Sequence, residues 1–538
     1  MKTLEQDVQC FDALVVGAGF AGMYQLHTLR EQLGMKVRVL EAGDGVGGTW
    51  YWNRYPGARC DSESHSYQFY FSEDLVKGWS WSERYPQQPE ILRYLNYVAD
   101  KLDLRRDMDF KARVNHAAYD ESANLWRLKT EDGRHYEARY LITAVGCLSS
   151  ANVPKIEGLE SFQGDWYHTG QWPHEGVDFT GKRVGVIGTG STGIQAIPVI
   201  ARSAAQVTVF QRTANYSIPA RNGPLSEEFK RQIKEQASEI RATMYKASNG
   251  HPFLIEDRSA VKTPESEREQ IYRKAWEVGG LRFRAAFKDL LTDQAANDTA
   301  ADFIKQRIRE VVADPNKAKI LADIDHPFAA KRPPIDTEYF ETYNRDNVSL
   351  VNLRETPIER ITAHGVKTVA QEYPLDIIVF ATGFDAMTGG LFKLNIAGRG
   401  GLKLTDYWHA GPRTYLGLQV PGFPNMFTIT GPGSPSVLCN LPPQIEQHVE
   451  WITACIGAMR ERDATLIETS EDAAVGWGEQ VEQAARATLL HGVKHSWYLG
   501  ANVPGKPRVF MPYAGGFDRY QQICKTVAAD GYPGFRIN

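Results

Sequence analysis

No pair of cysteines in this chain is spaced for redox chemistry or for gripping a metal. The six cysteines, Cys10, Cys60, Cys147, Cys439, Cys455 and Cys524, are scattered over 538 residues, with neither a CxxC pair nor a cysteine-histidine spacing suited to zinc. Dithiol exchange and a Cys/His metal centre are therefore excluded, no metal is expected, and a reduced intracellular protein is the simplest reading. Long apolar runs are also lacking: none approaches the roughly 20 residues that cross a bilayer. Met1 to Asp12 is polar and carries Glu5 and Asp7, unlike the basic-then-apolar pattern of a secretory leader. The expectation is a cytoplasmic protein with no membrane partner. Charge of one sign is not in excess either, since 61 basic and 65 acidic residues leave a net charge of -4. That excludes a general attraction for nucleic acid, so any basic residue that matters acts locally. Short-period repeats and low-complexity tracts are absent.

What is present is glycine in two patterned places. Phe11 to Val16 reads FDALVV, a short buried strand, and runs into Gly17-Ala18-Gly19-Phe20-Ala21-Gly22 and a helical stretch from Met23 to Glu31. A second copy begins with RVGVI at Arg183 to Ile187, continues through Gly188-Thr189-Gly190-Ser191-Thr192-Gly193, and enters a helix reaching Ile200. In such a turn the first glycine permits the reversal, the second lets backbone amides approach a pyrophosphate, and the third lets helix and strand pack closely. A lone motif of this kind is often an ordinary turn; here both copies carry the required strand and helix.

The end of the next strand tells the two nucleotides apart. After the first turn, Val37 to Leu40 ends in Glu41, nineteen positions beyond Gly22, where a carboxylate accepts from ribose hydroxyls, as for the adenosine end of FAD. After the second, Val207 to Phe210 ends in Gln211-Arg212-Thr213, with Arg212 nineteen positions beyond Gly193. A ribose 2'-phosphate beside a carboxylate meets repulsion on the order of 4 kcal/mol at about 4 Å and an effective dielectric of about 20. Arg212 reverses that sign and Thr213 adds a hydroxyl, so the second site is read as NADPH rather than NADH. Between them, Gly45-Val46-Gly47-Gly48-Thr49-Trp50 leads through an aromatic stretch to Asp61. Gly48, Thr49 and Trp50 are candidates for flavin contact, the aromatic residues alone being equally at home in a core.

The length suits roughly two to three domains. The fold expected is α/β: two Rossmann-like dinucleotide-binding domains with a helical insertion. Residues 1–150 and 386–538 form a discontinuous FAD domain, 151–223 and 323–385 an NADP domain, and 224–322 the insertion. Within the insertion, Glu227 to Tyr245 and Glu265 to Phe287 each read as a long helix; strand character returns at Val348 to Asn352 and Leu375 to Ala381, and a helix is expected near Gln444 to Arg460.

Just before the second glycine turn lies Phe162-Gln163-Gly164-Asp165-Trp166-Tyr167-His168-Thr169-Gly170-Gln171-Trp172-Pro173. It resembles the FxGxxxHxxxWP fingerprint of Baeyer-Villiger monooxygenases at all five fixed positions, Phe162, Gly164, His168, Trp172 and Pro173. Further segments resembling that family are GGTWYWNRYPGARCD ending at Asp61, Lys331-Arg332-Pro333, Ala381 to Asp385, Gly431 to Ser436, Ser496-Trp497-Tyr498 and Pro504 to Arg508, so the likeness spans nearly the whole chain. Within the family the chain looks similar to the phenylacetone and cyclohexanone monooxygenase group. One departure from the broader flavoprotein pattern is Ala144-Val145-Gly146, where ATG is common.

The resemblance implies a reaction that uses FAD, NADPH and O2 to turn a ketone into an ester or lactone through a C4a-peroxyflavin and a Criegee adduct, with sulfoxidation as a side activity. It places Arg332 at the flavin face, where a permanent cation stabilises developing oxyanions, and Asp61 beside it to orient the guanidinium. Lys331 joins Arg212 and Thr213 around the 2'-phosphate, Trp497 lies on a loop that closes over NADP, His168 has a positioning role, and Trp172 and Pro173 stiffen a linker. Cys147, Leu148, Ser436, Val437 and Leu438 are candidate pocket residues for a small-molecule ketone. A monomer is compatible with all of this. Two alternatives stay open: a sulfur- or nitrogen-oxygenating flavin monooxygenase, and a non-catalytic NADP-sensing flavoprotein.

Overall fold

A computed structural model describes residues 8–538; Met1 to Asp7, with Glu5 and Asp7, lie outside the described residues. The chain opens with β1 (Val8–Val16), whose last four residues are wholly enclosed, followed by a helix over Phe20–Leu33 and β2 (Val37–Leu40). β3 (Met108–Asp109) lies parallel outside β2, and β4 (Val114–Asp120), β5 (Leu125–Thr130) and β6 (His135–Thr143) form an antiparallel meander that brings β6 back alongside β1. β5 alternates buried and exposed residues, as a strand with one wet face must, whereas β1 and β6 end in continuous apolar runs because both faces are covered. That meander gave no clear sequence signal.

The chain then leaves this sheet and builds a second one. β7 (Asp165–His168), β8 (Arg183–Ile187) and β9 (Gln206–Gln211) come first. β10 (Ile218–Pro219) pairs with β11 (Ile335–Asp336) across the intervening helices, after which β12 (Val348–Asn352) joins β9. β13 (Ile358–Thr362), β14 (Gly365–Thr368) and β15 (Glu372–Pro374) make a small antiparallel sheet before β16 (Ile377–Phe380) slots between β8 and β7. The result is a five-stranded, fully parallel sheet in the order β12-β9-β8-β16-β7. β17 (Ile396–Ala397) and β18 (Met426–Thr428) then return to the first sheet, against β4 and β6, and β19 (Ile467–Thr469) pairs with β20 (Phe535–Ile537).

The segment between β10 and β11 is helical, as read from its sequence, but its helices are shorter than expected. Glu227 to Tyr245 is two helices, Glu227–Glu235 and Ala237–Lys246, because Gln236 at φ -102°, ψ 19° leaves the helical basin. The helix from Glu265 stops at Val278. Gly279 and Gly280 take φ values of 73° and 67°, and a Cβ on Gly280 would fall 1.8 Å from the Tyr85 hydroxyl, so only glycine lets the chain turn there into the short 3-10 segment Gly280–Ala286. Among the described residues, no helix is long and apolar enough to cross a membrane and no group of His, Cys, Asp or Glu is placed to hold a metal.

A buried carboxylate fastens this insertion to the first sheet's layer. Glu446, on the helix Leu441–Glu461, accepts from the Tyr70 and Phe71 backbone amides at 2.6 and 3.0 Å, and from Arg241 Nε and the Tyr245 hydroxyl at 3.1 and 3.3 Å. Truncating it strands two amides and leaves the half-buried Arg241 guanidinium with Glu450 alone. Glu446→Ala is expected to cost about 3 kcal/mol, read as a lower urea midpoint, with Glu446→Gln losing less. An unchanged midpoint in both variants would remove the fastening role.

Candidate active site

The two glycine turns share the same close contacts. A Cβ on Gly22 would lie 1.8 Å from the Gly17 carbonyl oxygen, and one on Gly193 would lie 2.2 Å from that of Gly188. Gly17 and Gly188 hold φ of 108° and 111°, and each presses on a carbonyl at the end of a neighbouring strand: Ala144 after β6, Ala381 after β16. Helix and strand thus meet at backbone contact in both units, leaving the first turn of each helix with free amides for phosphate. A Cβ on Gly190 would meet nothing within 4 Å, so that side of the second turn is open.

The first turn has a facing partner. Gly48, at φ 51°, sits so close to Gly19 that a Cβ on it would lie 2.8 Å from the Gly19 Cα. Gly48 caps the short helix Thr49–Trp52, and Trp50 is built into the core, its indole N–H donating to the Tyr67 hydroxyl at 3.2 Å. Trp50 therefore anchors the loop that Gly48 and Thr49 present. Glu41 is buried at the end of β2 and accepts from the Ala18 and Gly43 amides, each at 2.7 Å. Burial raises the pKa of Glu41 while those amides oppose the rise. Each of its oxygens keeps a lone pair for a ribose hydroxyl. Turn, facing glycine and carboxylate fit the pyrophosphate and adenosine of a flavin dinucleotide.

Beyond the second turn the charge is positive. Arg212 is exposed at the end of β9, and Thr213 accepts through its carbonyl from the Thr189 hydroxyl at 3.0 Å. Arg212 has no ion-pair partner among the described residues. Lys331 is partly buried; burial lowers its pKa, Asp325 opposes that, and the nearby Arg212 and Arg354 guanidiniums add to the lowering. Arg354 is a residue that sequence reasoning missed. It donates to the Arg212 carbonyl at 3.0 Å and pairs with Asp325 at 2.6 Å, steadying the strand end that carries Arg212. Two cations, Arg212 with no ion-pair partner among the described residues and Lys331 close by, fit the 2'-phosphate of NADP. Ser191 and Thr192 open the helix at the same turn.

Asp61 and Arg332, 271 residues apart in sequence, form a two-pronged ion pair: Nε to Oδ2 at 2.5 Å and one terminal nitrogen to Oδ1 at 2.9 Å. The other terminal nitrogen donates to the Val437 carbonyl at 2.8 Å. Burial opposes ionisation of Asp61, but the charge and hydrogen bonds of Arg332 outweigh it and hold the carboxyl below its usual range. Burial likewise works against the Arg332 charge, and Asp61 more than compensates. A guanidinium has five N–H donors; these contacts use three, so two are left to point at a ligand. Arg332 lines a cavity together with Val437, Leu438 and Tyr498. Cys147 and Leu148 pack into the same apolar cluster behind Val437 without lining the cavity, and the Ser436 hydroxyl faces Met387 and the Thr430 carbonyl.

Four more cavity residues, Asn249, His251, Leu281 and Arg284, come from the helical insertion. Sequence reasoning missed them because helical periodicity shows which side is buried, not which buried side chain faces a space. Their only advance signal is the glycine pair at 279 and 280, which turns the chain toward the site.

The fingerprint residues stand apart from this cavity. His168 ends β7, at the edge of the second sheet; its Nδ1 accepts from the Gly170 amide at 3.0 Å and burial lowers its pKa. Its ring meets Phe384 edge-on at 6.1 Å. Phe162 is half-buried, a Cβ on Gly164 would lie 2.3 Å from the Asp376 carbonyl, and Trp172 packs on Tyr167 and Phe179 ahead of Pro173. Trp497 opens a 3-10 turn, Trp497–Leu499, that places Tyr498 in the cavity wall. Its loop is tied to the end of β16 by Asn502 donating to the Phe384 carbonyl at 2.8 Å and by Lys506 on Asp385 at 2.6 Å.

Residues 14–276 match the family described as pyridine nucleotide-disulphide oxidoreductase. All six cysteines are free, so what is shared is the nucleotide-binding framework. The chain is 43% identical to a phenazine N-monooxygenase of Lysobacter antibioticus, over 99% of this chain and 98% of that protein. It is likewise 43% identical to a Baeyer-Villiger monooxygenase of Pseudooceanicola batsensis, over 99% of this chain and 96% of that one. Among solved structures, an oxidised steroid monooxygenase bound to NADP superposes with a TM-score of 0.94 at 52% identity, covering 98% of this chain and 99% of that chain.

Proposed function

The chain belongs to the Baeyer-Villiger monooxygenases, and on that footing we propose how its own residues carry the reaction. It is an FAD- and NADPH-dependent monooxygenase that places one oxygen atom beside a ketone carbonyl, giving an ester or lactone. When bound, FAD supplies the oxygen-activating chemistry and NADPH the hydride; the protein supplies geometry and charge.

The first glycine turn, Gly17 to Gly22, with Gly48, Thr49 and Glu41, holds the flavin dinucleotide. The second, Gly188 to Gly193, with Arg212, Thr213 and Lys331, holds NADP by its 2'-phosphate. Asp61 fixes the Arg332 guanidinium from one side while the Val437 carbonyl fixes it from the other. The two remaining N–H donors face the cavity, where they stabilise negative charge developing on oxygen as the ketone carbonyl is attacked. Because the guanidinium is held before substrate arrives, no reorganisation is needed at the moment of reaction. Val437, Leu438 and Tyr498 exclude water around it. The Asp61–Arg332 pair, held from two sides at a cavity wall with donors to spare, is the observation that carries this reading.

A second reading rests on the phenazine N-monooxygenase among the relatives: oxygen transfer to nitrogen or sulfur. Product identity separates the two. Incubation of the FAD-loaded protein with NADPH, air and a panel of linear, cyclic, aryl and steroid ketones is expected to give esters or lactones, with one NADPH consumed per product. N-oxides or sulfoxides alone would favour the second reading, and cofactor binding with no ketone-stimulated NADPH oxidation would overturn both.

A further inference from the structure

The guanidinium of Arg284 is unpaired among the described residues and lies in the wall of the cavity that Arg332 also lines. Three other arginines are each provided for. Arg282 pairs with Glu63 at 3.1 Å, Arg332 with Asp61, and Arg241 with Glu446 and Glu450. Arg284 makes neither a hydrogen bond nor an ion pair, and its Nε is buried without an acceptor. Asp289, the acid nearest in sequence, is engaged elsewhere, accepting from the Ser259 hydroxyl and the Ala260 amide. The groups that act on its charge are Tyr498 and Arg332, with no carboxylate among them, and burial alone already lowers its pKa.

A buried guanidinium with no counter-charge is unfavourable unless something that binds there supplies one. The rest of the wall agrees. Asn249 faces the same cavity; its carbonyl oxygen accepts from the His251 amide at 3.0 Å while its Nδ2 has no acceptor. Burial, with Arg332 adding to it, lowers the pKa of His251 to about 3, so its ring stays neutral and offers one N–H. Donors therefore share the cavity wall with apolar Leu281, Leu438 and Leu490.

Resting on the ketone-oxygenating reading above, we propose that the preferred substrate is a ketone bearing a carboxylate, and that Arg284 determines this preference by pairing with it, with Asn249 as a second donor. The carbonyl then lies toward Arg332 and the carboxylate toward the helical insertion, so one anchor sets which side of the ketone meets the flavin. Arg284 acts on binding and orientation and takes no part in the bond changes.

The test uses the FAD-loaded protein with methyl-keto acids of increasing chain length, starting from levulinate, each beside its methyl ester. For the best acid, kcat/KM is expected to exceed that of its ester by at least about tenfold, as a charge-assisted pair is worth. In Arg284→Met that ratio falls to about one, chiefly through KM, and Arg284→Lys lies between. FAD content and the KM for NADPH serve as controls, and if the methionine variant does not retain FAD, the lysine variant and Asn249→Ala carry the comparison. Ester turnover with no acid preference in the native protein overturns this assignment and leaves the oxygenation reading intact. An acid preference that survives substitution, or a shift in KM for NADPH instead, overturns it too. Turnover of neither acids nor esters overturns both.

Discussion

Arg332→Ala abolishes ester formation while NADPH still reduces the flavin. The guanidinium is the one cation in the cavity held on both sides before substrate binds, by Asp61 and by the Val437 carbonyl, with two N–H donors to spare. Loss of a single pre-set oxyanion donor costs about 10²- to 10³-fold, and removal of the charge with both donors is expected to reach at least the upper end. The substitution also strands Asp61. With Arg332 gone, burial is no longer outweighed and the Asp61 carboxyl shifts upward in pKa. Arg332→Lys returns a point charge without the fork, so it restores part of the activity. Asp61→Asn keeps the cation but loosens its aim and is expected to fall between native and Arg332→Ala. Anaerobic mixing with NADPH measures flavin reduction, and gas chromatography measures ester. Native-like ester yield from Arg332→Ala would remove the mechanism; failure of flavin reduction would relocate Arg332 to the hydride step.

Coenzyme choice should move nearly as far. Arg212→Ala is expected to raise the KM for NADPH by about 10- to 100-fold while leaving that for NADH little changed, the range expected for one charge-assisted contact to phosphate. Lys331→Ala should act in the same direction. Arg212 is exposed, so its contribution weakens as salt screens it, and the gap between native and variant narrows at high ionic strength. Arg354→Ala gives a smaller loss, since it supports the Arg212 backbone rather than the phosphate. Steady-state rates with both coenzymes at two salt concentrations decide the matter. Equal losses for NADPH and NADH would mean that Arg212 holds the strand end and not the phosphate.

Both nucleotide units are legible in the sequence because their constraints are local: a strand, a turn that only glycine can make, and one charge at a fixed distance. The carboxylate at 41 and the cation at 212 stand at the ends of β2 and β9, where that spacing puts them. The pairing of Asp61 with Arg332 came from family likeness, since nothing local in either segment points to the other. The meander of β4 to β6 stayed hidden because its alternation is short and half polar. The helices of the insertion were visible and their breaks were not. Gln236 is an ordinary helix former that nevertheless leaves the helical basin, and Gly280 lies where Tyr85, far away in sequence, leaves no room for a Cβ. For the same reason nothing local in the sequence marks Arg284.

The two glycine turns are walled in by main-chain carbonyls, whereas much of the cavity over Arg332 is walled by side chains from inserted helices. Inherited variation is channelled by that difference. A side chain at Gly22 or Gly193 would collide with a carbonyl that cannot step aside, while one such as Leu281 can be exchanged without touching either nucleotide turn. A lineage on this frame can diversify its diet without ever putting its catalyst at stake.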